Sequence, residues 1–475
     1  MVRIRFGTGG WRAIIGDEFI RSNVALLCGA LASRIKDEGR AEQGLVIGYD
    51  RRFLSDVAAQ WAAEVFAGEG VACRVIRLDQ APTPLIMWTV KNLGLPYGMA
   101  ITASHNPALY NGIKVFTEGG KDADEEITRD IEARMEALEG EPEQRIGRLD
   151  YAKAVASGAV TEINPFNGYI DSIIDQIDME AIRRAGLKIA LDPMFGVSRT
   201  SLQTILMTAR CEVDVIHDRR DTLFGGRMPS PSSATLESLK QYVVQHGCAL
   251  GIATDGDADR LGVIDDKGHF LHPNQLLVIL YYYLLRYKGW RGDVVRNVAT
   301  TSLLDDVAEL FGQTCHEVPV GFKWISGKML ETGAIIGGES SGGLTVKGHI
   351  FGKDGIYAAS LLVEMLAVVG KPMSEIYEEI TGQFPPHHMA ETDLTFDPER
   401  KPEILRTLME DRLLPEFSAE VVDVSYRDGC KVHFANGWII ARFSGTEPLL
   451  RIFCEMPSLE EAERACEEFR SFLGL

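Results

Sequence analysis

The sequence predicts an α/β fold with three similar mixed-sheet domains and a smaller C-terminal α+β domain. The chain has 475 residues, which is too long for one hydrophobic core and indicates several domains. Through residue 382, short apolar runs alternate with amphipathic helical patterns, and that alternation is typical of βαβ units. The remainder of the chain reads instead as short strands joined by tight turns.

The apolar runs of the first three domains recur in three successive passes. A run at 45–49 precedes a helix that we expect to be capped at Ser55. The same rhythm returns after residue 187 and again after residue 292, without a clear residue-level repeat. The predicted strands are 45–49, 72–76, 98–102, 188–192, 212–216, 248–254, 293–298, 316–320 and 334–338.

The C-terminal segment carries hairpin signals, because Asp-Gly and Asn-Gly pairs separate apolar runs. Ser458 with Glu461 forms a capping box that predicts the start of a final helix. The predicted strands there are 421–426, 431–434, 437–443 and 449–456. Domain boundaries are predicted at 1–163, 164–268, 269–382 and 383–475.

Composition predicts a cytoplasmic protein that binds neither nucleic acid nor membranes. The formal net charge is −19, which repels nucleic acid phosphates and anionic lipids. No signal peptide is visible, and the longest apolar run, 276–285, is too short to span a bilayer and predicts a buried helix. The eight cysteines lack zinc or redox spacing, so we expect reduced thiols.

The segment 102–107, here called the serine loop, follows a predicted strand and contains Ser104 beside His105. Such a serine is more often part of a simple turn than a nucleophile. Lys114 lies shortly downstream and brings an amine to the same loop, which favours a chemical role. No Gly-x-Ser-x-Gly elbow is present here, so acyl transfer is not favoured.

The segment 255–260, here called the metal loop, places Asp255, Asp257 and Asp259 at alternate positions after an apolar run. Three carboxylates so close together repel unless a cation is bound, and Mg²⁺ prefers such oxygen ligands. A calcium EF-hand does not fit, because Arg260 occupies its glycine position and Asp266 its twelfth. A solvated acidic turn is the remaining alternative.

Two further loops carry polar groups suited to a sugar phosphate. The sugar loop, 337–343, sets Glu339 and Ser341 among glycines, and it matches neither nucleotide-binding pattern. The phosphate loop, 442–448, together with Arg451, combines arginines, hydroxyls and exposed backbone N–H groups, which suits an anion. A glycine-rich turn and a hairpin loop with incidental charge are the respective alternatives.

These four loops, in this order and with the segment 6–12, resemble the α-D-phosphohexomutase superfamily of phosphoglucomutases and phosphomannomutases. The resemblance covers essentially the whole chain, and its strings TASHNP, DGDADR and RFSGTEP are specific. It implies four domains around a central cleft, the fourth of them smaller and mobile. It also implies an isomerase that carries a phosphoryl group on a serine.

The resemblance assigns a role to each candidate residue. Ser104 would be the phosphorylated carrier and would contribute to the Mg²⁺ site. The other metal ligands would be Asp255, Asp257 and Asp259. Around the phosphoserine the implied residues are Arg12, His105, Lys114 and Arg260, and the implied substrate ligands are Lys323, Glu339, Ser341, Arg442, Ser444, Gly445, Thr446 and Arg451.

Two features favour glucose over other sugars within that resemblance. Gly343 stands where phosphomannomutases and phosphoglucosamine mutases usually carry histidine. The segment 349–355 resembles phosphoglucomutases, in which Lys353 is a candidate acid/base, and 318–324 resembles their specificity loop. Gly9 and Gly10 also depart from the common pattern, but they remove no catalytic group.

The predicted reaction interconverts glucose 1-phosphate and glucose 6-phosphate, with Mg²⁺ as cofactor and glucose 1,6-bisphosphate as intermediate and activator. Phosphomannomutase and phosphoglucosamine mutase activities are the alternatives. A serine-nucleophile sugar phosphatase or an inactive phosphosugar-binding regulator are more distant ones. We expect a monomer or homodimer.

Overall fold

The computed structural model describes residues 4–7, 9–77, 80–138, 145–443 and 449–475. Across those residues the strands form four sheets, three of them mixed and the last antiparallel. The predicted architecture of three α/β domains and a smaller C-terminal domain is therefore confirmed.

The first domain contains a mixed sheet. Its helices are Arg21–Asp37, Ser55–Gly68, Thr83–Asn92, Glu125–Leu138 and Tyr151–Ser157. In sheet order the strands are Trp11–Ile14, Tyr110–Thr117, Tyr97–Ile101, Leu45–Tyr49, Cys73–Ile76 and Val160–Ile163, and Lys121–Asp122 also pairs with Tyr110–Thr117.

The second domain repeats this plan. Its helices are Phe166–Ile174, Met179–Ala185, Arg199–Thr208 and Glu237–His246, with a short 3₁₀ turn at Phe224–Gly226. In sheet order the strands are Phe270–Leu271, Leu261–Ile264, Leu250–Thr254, Lys188–Asp192 and Glu212–Val215. The short strand Phe270–Leu271 belongs to this sheet although it follows residue 268.

The third domain has the most apolar helices. They are Pro273–Arg286, Leu303–Leu310, Phe322–Thr332, Gly355–Val369 and Met373–Thr381. In sheet order the strands are Cys315–Val318, Val294–Asn297, Ile336–Gly338 and Leu344–Val346.

The apolar run 276–285 is buried along its whole length, as predicted for a core helix. Within the ranges given above, no single helix has the length and hydropathy to cross a membrane. One pair bent by 84°, Gly355–Val369 with Met373–Thr381, passes that test on length and composition only.

The fourth domain is an antiparallel sheet covered by the helix Leu459–Leu473. Ser458 caps that helix by accepting a hydrogen bond from the Glu461 backbone N–H at 3.2 Å, as predicted. Its short helices are the 3₁₀ helix Pro398–Arg400, the α-helix Lys401–Leu405 and the π-helix Arg406–Glu410. The strands in sheet order are His388–Thr395, Leu449–Met456, Gly437–Phe443, Cys430–Phe434 and Val421–Ser425, of which the first was not predicted.

The first three domains present their functional loops at the same topological position. In each domain the loop connects a parallel strand to the antiparallel strand beside it. The serine loop follows Tyr97–Ile101, the metal loop follows Leu250–Thr254, and the sugar loop follows Ile336–Gly338. Carboxyl ends of parallel strands are where α/β proteins place ligands, and here the three ends meet.

The prediction that Ser55 caps a helix is wrong in its detail. The helix begins at Ser55 itself, and Leu54 precedes it with φ of 64°. The Ser55 hydroxyl donates instead to Asp50 Oδ1 at 2.7 Å, and both residues are buried. The serine therefore supports the polar network below the serine loop.

Candidate active site

Ser104 meets the metal loop through its own hydroxyl group. The Ser104 Oγ donates to Asp255 Oδ2 at 2.6 Å, although the two residues lie on different domains. Ser104 has φ of 51°, in the left-handed region, where non-glycine residues are strained and cluster at functional sites. Gly256 permits the close approach, because a Cβ there would lie 2.7 Å from the Ser104 carbonyl oxygen.

Arg52 holds the backbone of the serine loop, and the sequence prediction missed it. Its Nη2 donates to the carbonyl oxygens of Ser104 at 2.5 Å and Asn106 at 2.6 Å. Its Nη1 donates to the carbonyl oxygens of Pro107 at 2.9 Å and Tyr110 at 3.0 Å. The guanidinium is fully buried, so its planar fork fixes the loop from below.

The three aspartates of the metal loop form a cluster able to hold a metal ion. One ligand atom from each of Asp255, Asp257 and Asp259 lies within 4.8 Å of the others, and all three residues are buried. The Oδ1 atoms of Asp257 and Asp259 have no hydrogen-bond partner among the described residues. Buried carboxylate oxygens without partners are costly, and a divalent cation would satisfy them.

Two lysines neutralise part of this charge. Lys114 Nζ lies 2.6 Å from Asp257 Oδ2 and 2.7 Å from Asp259 Oδ2. Lys353 Nζ lies 2.8 Å from Asp259 Oδ2. The lysines thus take the Oδ2 atoms and leave the Oδ1 atoms for another cation.

The carboxyl groups of the cluster have pKa values shifted in opposite directions. Burial and repulsion from Asp257 and Asp259 raise the pKa of Asp255 well above its ordinary value. Burial also acts to raise the pKa of Asp259, but Lys114, Lys353 and Arg260 outweigh it and hold that pKa well below the ordinary value. The lysines therefore do not balance all three carboxylates, so the donor set fits Mg²⁺.

Lys114 stays charged in this arrangement. Burial alone would lower its pKa, but the adjacent Asp257 and Asp259 raise it above the ordinary value. A lysine serves as a general base only when its pKa is lowered. That condition disfavours Lys114 as the candidate base.

Gly343 and Lys353 are coupled by their packing. A Cβ at Gly343 would lie 2.3 Å from Lys353 Cδ and 2.9 Å from its Cγ. The lysine therefore passes across the face of the sugar loop because position 343 has no side chain. Lys353 can take this position because residue 343 is a glycine.

Arg12, His105 and Arg260 gather around the serine. The His105 Nδ1 lies 3.4 Å from Ser104 Oγ, and Arg12 Nη1 donates to Asn106 Oδ1 at 2.6 Å. Burial, then the charges of Arg260 and Arg12, lower the pKa of His105 well below 6.5, so its imidazole is neutral. The local field is therefore positive, although the whole chain is acidic.

The sugar loop is held against the third domain's own backbone. Glu339 Oε1 accepts from the Gly321 N–H at 3.1 Å and from Asn297 Nδ2 at 3.4 Å. Its Oε2 accepts from the Ser341 hydroxyl at 3.3 Å. The contacts with Asn297 and Ser341 are long, so the carboxylate can exchange them for other hydroxyl groups.

Lys323 extends from the specificity loop toward the first domain. Its Nζ lies 2.7 Å from Glu125 Oε1 and 5.5 Å from the centre of the Trp324 ring. Glu125 is exposed, and such a surface ion pair contributes little stability. An anionic substrate could therefore displace Glu125.

Arg442 and Arg451 stand directly opposite each other on neighbouring antiparallel strands. Opposed like charges on one face of a sheet repel, and an anion between them would relieve that repulsion. Arg442 Nη2 pairs with Asp428 Oδ1 at 2.9 Å, and Arg451 Nε lies 3.6 Å from Asp393 Oδ1. Ser444, Gly445 and Thr446 lie outside the described residues.

Neighbouring segments hold the metal loop in place from both sides, and these contacts were also not predicted. The Thr83 hydroxyl donates to Asp257 Oδ2 at 2.7 Å, and the Thr83 backbone N–H donates to the Asp257 carbonyl oxygen at 2.9 Å. Arg260 forms an antiparallel bridge with Gly343 of the sugar loop. The sequence did contain part of the signal for Arg52. Two arginines come shortly after the strand Leu45–Tyr49, and this strand is parallel to the one that precedes the serine loop, so both strands end at the same edge of the sheet.

Comparison with known proteins shows the family to which the chain belongs. Models of phosphoglucomutase/phosphomannomutase α/β/α domains I, II and III match residues 3–141, 167–268 and 272–384, and the model of the C-terminal domain matches 399–471. A phosphoglucomutase/phosphomannomutase from Thermococcus kodakarensis is 32% identical over 97% of this chain and 96% of its own. A protein of Methanopyrus kandleri named "Probable phosphoglucosamine mutase" is 31% identical over 98% and 96%.

The fold has a close counterpart among solved structures. A candidate phosphomannomutase from Thermus thermophilus superimposes with a TM-score of 0.85 at 30% identity, over 100% of both chains. Family models, relatives and fold therefore agree over the same residues. The chain belongs to the phosphoglucomutase/phosphomannomutase family of phosphohexomutases, which are isomerases that transfer a phosphoryl group within the substrate.

Proposed function

We propose that this chain interconverts glucose 1-phosphate and glucose 6-phosphate, using a phosphoryl group carried on Ser104. One observation carries the proposal: the Ser104 hydroxyl donates to Asp255 at 2.6 Å, within a buried triad of carboxylates. A serine in that position, once phosphorylated, would place its anionic oxygens beside the metal loop. The proposed metal ligands are Asp255, Asp257 and Asp259, together with the phosphoserine.

The carrier step is a simple exchange of phosphorus–oxygen bonds. The bond from phosphorus to Ser104 Oγ breaks as a bond to a substrate hydroxyl oxygen forms, and the hydroxyl proton passes to a base. Bound Mg²⁺ would offset the phosphoserine charge of about −1.5 to −2 and polarise the breaking bond. Arg12, Lys114 and Arg260 add positive charge around the same group.

We assign the base to Lys353 in preference to Lys114. Lys114 lies between two carboxylates that favour its charged form. Lys353 contacts only one of these carboxylates and crosses the sugar loop. It is therefore adjacent to both the metal loop and the sugar loop.

The second half of the reaction needs a site for the phosphate that is not transferring. Glucose 1,6-bisphosphate, formed in the first half, must turn so that its other phosphate faces Ser104. We assign the distal phosphate to Arg442, Arg451 and the loop residues Ser444, Gly445 and Thr446. The opposed arginines support this assignment, because they would be stabilised by an anion. A phosphatase would have no need for such a site.

The glucose assignment rests on the Gly343–Lys353 contact. A side chain at 343 would displace Lys353, so this chain uses a lysine where phosphomannomutases and phosphoglucosamine mutases usually use the histidine. The names of the relatives from Thermococcus kodakarensis and Methanopyrus kandleri support mannose or glucosamine phosphates at least as well. Both activities are therefore retained as alternatives.

The reaction is tested by following interconversion and phosphate release in parallel. The wild type with Mg²⁺ should convert glucose 1-phosphate to glucose 6-phosphate and should release little inorganic phosphate. Ser104→Ala should lose nearly all turnover, and intact mass should show one phosphoryl group on active wild type only. Phosphate release as the main product, or a fully active alanine variant, would falsify the proposal.

Sugar choice is tested by side-by-side kinetics on glucose 1-phosphate, mannose 1-phosphate and glucosamine 1-phosphate. We expect the highest kcat/KM for the glucose compound, by roughly tenfold, the scale of one lost hydrogen bond to a buried hydroxyl. Gly343→His should lower that preference by displacing Lys353. Gly327→Ala is the matched control, because a Cβ there meets no atom within 4 Å. A wild type that prefers another sugar contradicts the glucose assignment alone.

A further inference from the structure

Asp428 joins the third and fourth domains through both of its carboxylate oxygens. It lies in the turn between the strands Val421–Ser425 and Cys430–Phe434. Its Oδ1 accepts from Arg442 Nη2 at 2.9 Å within the fourth domain. Its Oδ2 accepts from the backbone N–H of Val320, in the specificity loop of the third domain, at 2.6 Å.

The hydrogen bonds continue from Asp428 to the sugar loop. The residue after Val320 is Gly321, and its N–H donates to Glu339 Oε1 at 3.1 Å. Successive backbone N–H groups of one loop therefore bind Asp428 on one side and Glu339 on the other. This path connects the proposed ligand of the distal phosphate, Arg442, to the proposed ligand of the sugar hydroxyls.

The turn that carries Asp428 is packed rigidly against the strand of Arg442. A Cβ at Gly429 would lie 2.5 Å from the Ala441 carbonyl oxygen and 2.7 Å from Arg442 Cγ. Gly429 also has φ of 92°, a conformation that side chains rarely adopt. The turn therefore holds the carboxylate in a defined place beside the guanidinium.

Arg442 keeps binding capacity while it contacts Asp428. Only its Nη2 is used in that contact, and its buried Nε has no hydrogen-bond partner among the described residues. A guanidinium offers five N–H donors in a fixed plane. Asp428 can therefore fix the orientation of the plane and leave other donors for a phosphate.

We propose that Asp428 is a positioning residue, which sets the distance and orientation between Arg442 and Glu339 and so adapts the cleft to one length of sugar phosphate. The proposal rests on the function proposed above. Arg442 and Glu339 lie in different domains whose main apolar cores are separate and are joined by a small apolar cluster around Trp438. Asp428 supplies a polar tie between them at the substrate-facing loops.

The first test separates positioning from folding. Asp428→Ala removes both contacts, and Asp428→Asn keeps the size and an acceptor for Val320 but loses the ion pair with Arg442. We expect Asp428→Ala to raise the KM for glucose 1-phosphate by about tenfold, with kcat changed less than about threefold. Asp428→Asn should lie between Asp428→Ala and wild type. Asp423→Asn, an exposed residue of the same hairpin, is the matched control and should behave as wild type.

The second test asks whether Asp428 acts through Glu339. The two side chains share no direct contact, so independent roles predict that their effects on kcat/KM multiply. In the double variant Asp428→Ala with Glu339→Ala, we expect the loss of kcat/KM to be at least about fivefold smaller than the product of the two single losses. Multiplying effects, or an unchanged KM in both single Asp428 variants, overturn the proposal. If Asp428→Ala unfolds, the comparison of Asp428→Asn with Asp423→Asn decides.

A binding measurement distinguishes failure of this inference from failure of the proposed function. Titration calorimetry with glucose 6-phosphate requires no turnover and should show weaker binding to Asp428→Asn than to wild type. A wild type that fails to interconvert sugar phosphates contradicts the proposed function, whatever the variants do. If the wild type is active and both Asp428→Asn and Asp428→Ala bind glucose 6-phosphate as tightly as the wild type does, only the role of Asp428 is contradicted.

Discussion

Arg52 is the residue on which the serine loop depends most. It is fully buried, and it donates to four backbone carbonyl oxygens between Ser104 and Tyr110. Asp50 lies 3.2 Å from its Nε and is itself held by the hydroxyls of Ser55 and Thr102. The strained φ of Ser104 is therefore maintained by a buried ion pair, which costs more to break than an exposed one.

We predict that Arg52→Lys keeps the charge but loses the geometry of the loop. A lysine ammonium cannot reach four carbonyls in the plane of a guanidinium. With each lost charge-assisted hydrogen bond contributing about 1.5–3 kcal/mol, kcat should fall at least roughly tenfold and the melting temperature should drop. Arg77→Lys, with a side chain 78% exposed in the same domain, is the control. Wild-type kcat in Arg52→Lys would show that the loop holds its shape without the guanidinium.

The metal loop is the element whose three carboxylates outnumber the two lysines that pair with them. Its backbone is set by hydrogen bonds from the N–H groups of Asp259 and Arg260 to Asp255 Oδ1, both at 3.1 Å. Ala258 takes a φ of 66°, which turns the loop tightly enough to face all three carboxylates inward. The loop geometry is thus built within the protein, and a bound cation would complete its charge balance.

We predict that Mg²⁺ raises the melting temperature of the wild type and that Asp257→Asn largely abolishes that rise. Ligand bound only to the folded state at a hundred times its Kd stabilises by about 2.7 kcal/mol. The readout is thermal unfolding with and without Mg²⁺, and it needs no substrate. Asp175→Asn, on the surface of the second domain, is the control. An equal Mg²⁺ effect in Asp257→Asn would show that the triad is not the binding site.

At the scale of the whole molecule, one buried cluster spans the first three domains, each of which also has a smaller cluster of its own, and the fourth domain has a separate core. A single buried cluster includes residues of the helices Thr83–Asn92, Arg199–Thr208 and Gly355–Val369, whereas the fourth domain has its own. The contact between third and fourth domains combines a small apolar cluster around Trp438 with buried polar groups. Glu455 is central there, since its Oε1 accepts from the Ser302 N–H at 2.9 Å and from Trp438 Nε1 at 3.1 Å.

His387 adds a pH-dependent bond to this interface. Its Nδ1 lies 3.3 Å from Glu455 Oε1, and its Nε2 lies 2.8 Å from Asp306 Oδ2 of the third domain. Burial acts to lower the pKa of His387, but the hydrogen bonds and charges of Glu455 and Asp306 raise it above 6.5. Burial acts to raise the pKa of Glu455, but its hydrogen bonds lower it to about 2.

The sign of the pH effect follows from these directions. The His387 contribution is fully present below pH 6.5 and is lost as pH rises through the raised pKa. The Glu455 contribution is present above pH 4.5 and is lost only as pH falls toward about 2. His105 has a lowered pKa and acts in the opposite sense, so the wild type must be compared with a variant.

We predict that His387→Gln weakens the interface more at pH 5.5 than at pH 7.5. Amide hydrogen exchange of peptides covering 302–310, measured on both proteins at the same pH, reports the contact directly, because the Ser302 N–H bonds to Glu455. His388→Gln is the control, as His388 is exposed and adjacent. If the difference in hydrogen exchange between wild type and His387→Gln is the same at both pH values, the prediction that His387 acts as a charged group is contradicted.

By itself the sequence determined the alternation of strands and helices and the position of the loops along the chain. The runs 188–192, 437–443 and 449–456 became strands with those bounds, because alternation and turn residues are local properties of a chain. The edge strand His388–Thr395 escaped prediction, since its polar composition becomes a strand only through pairing with Leu449–Met456. Local patterns, together with the family resemblance, predicted Ser104 and the three aspartates as site residues.

Only the tertiary structure decided how those residues meet. It placed Ser104 on Asp255, Lys114 between Asp257 and Asp259, and Lys353 across Gly343. It also revealed the contacts of Arg52 and Asp428, whose partners include backbone groups far away in the chain. The physical reason is that hydrogen bonds and ion pairs form only where atoms of segments far apart in the chain come within about 3 Å of each other. Those distances are set by how the domains pack, which local periodicity does not encode.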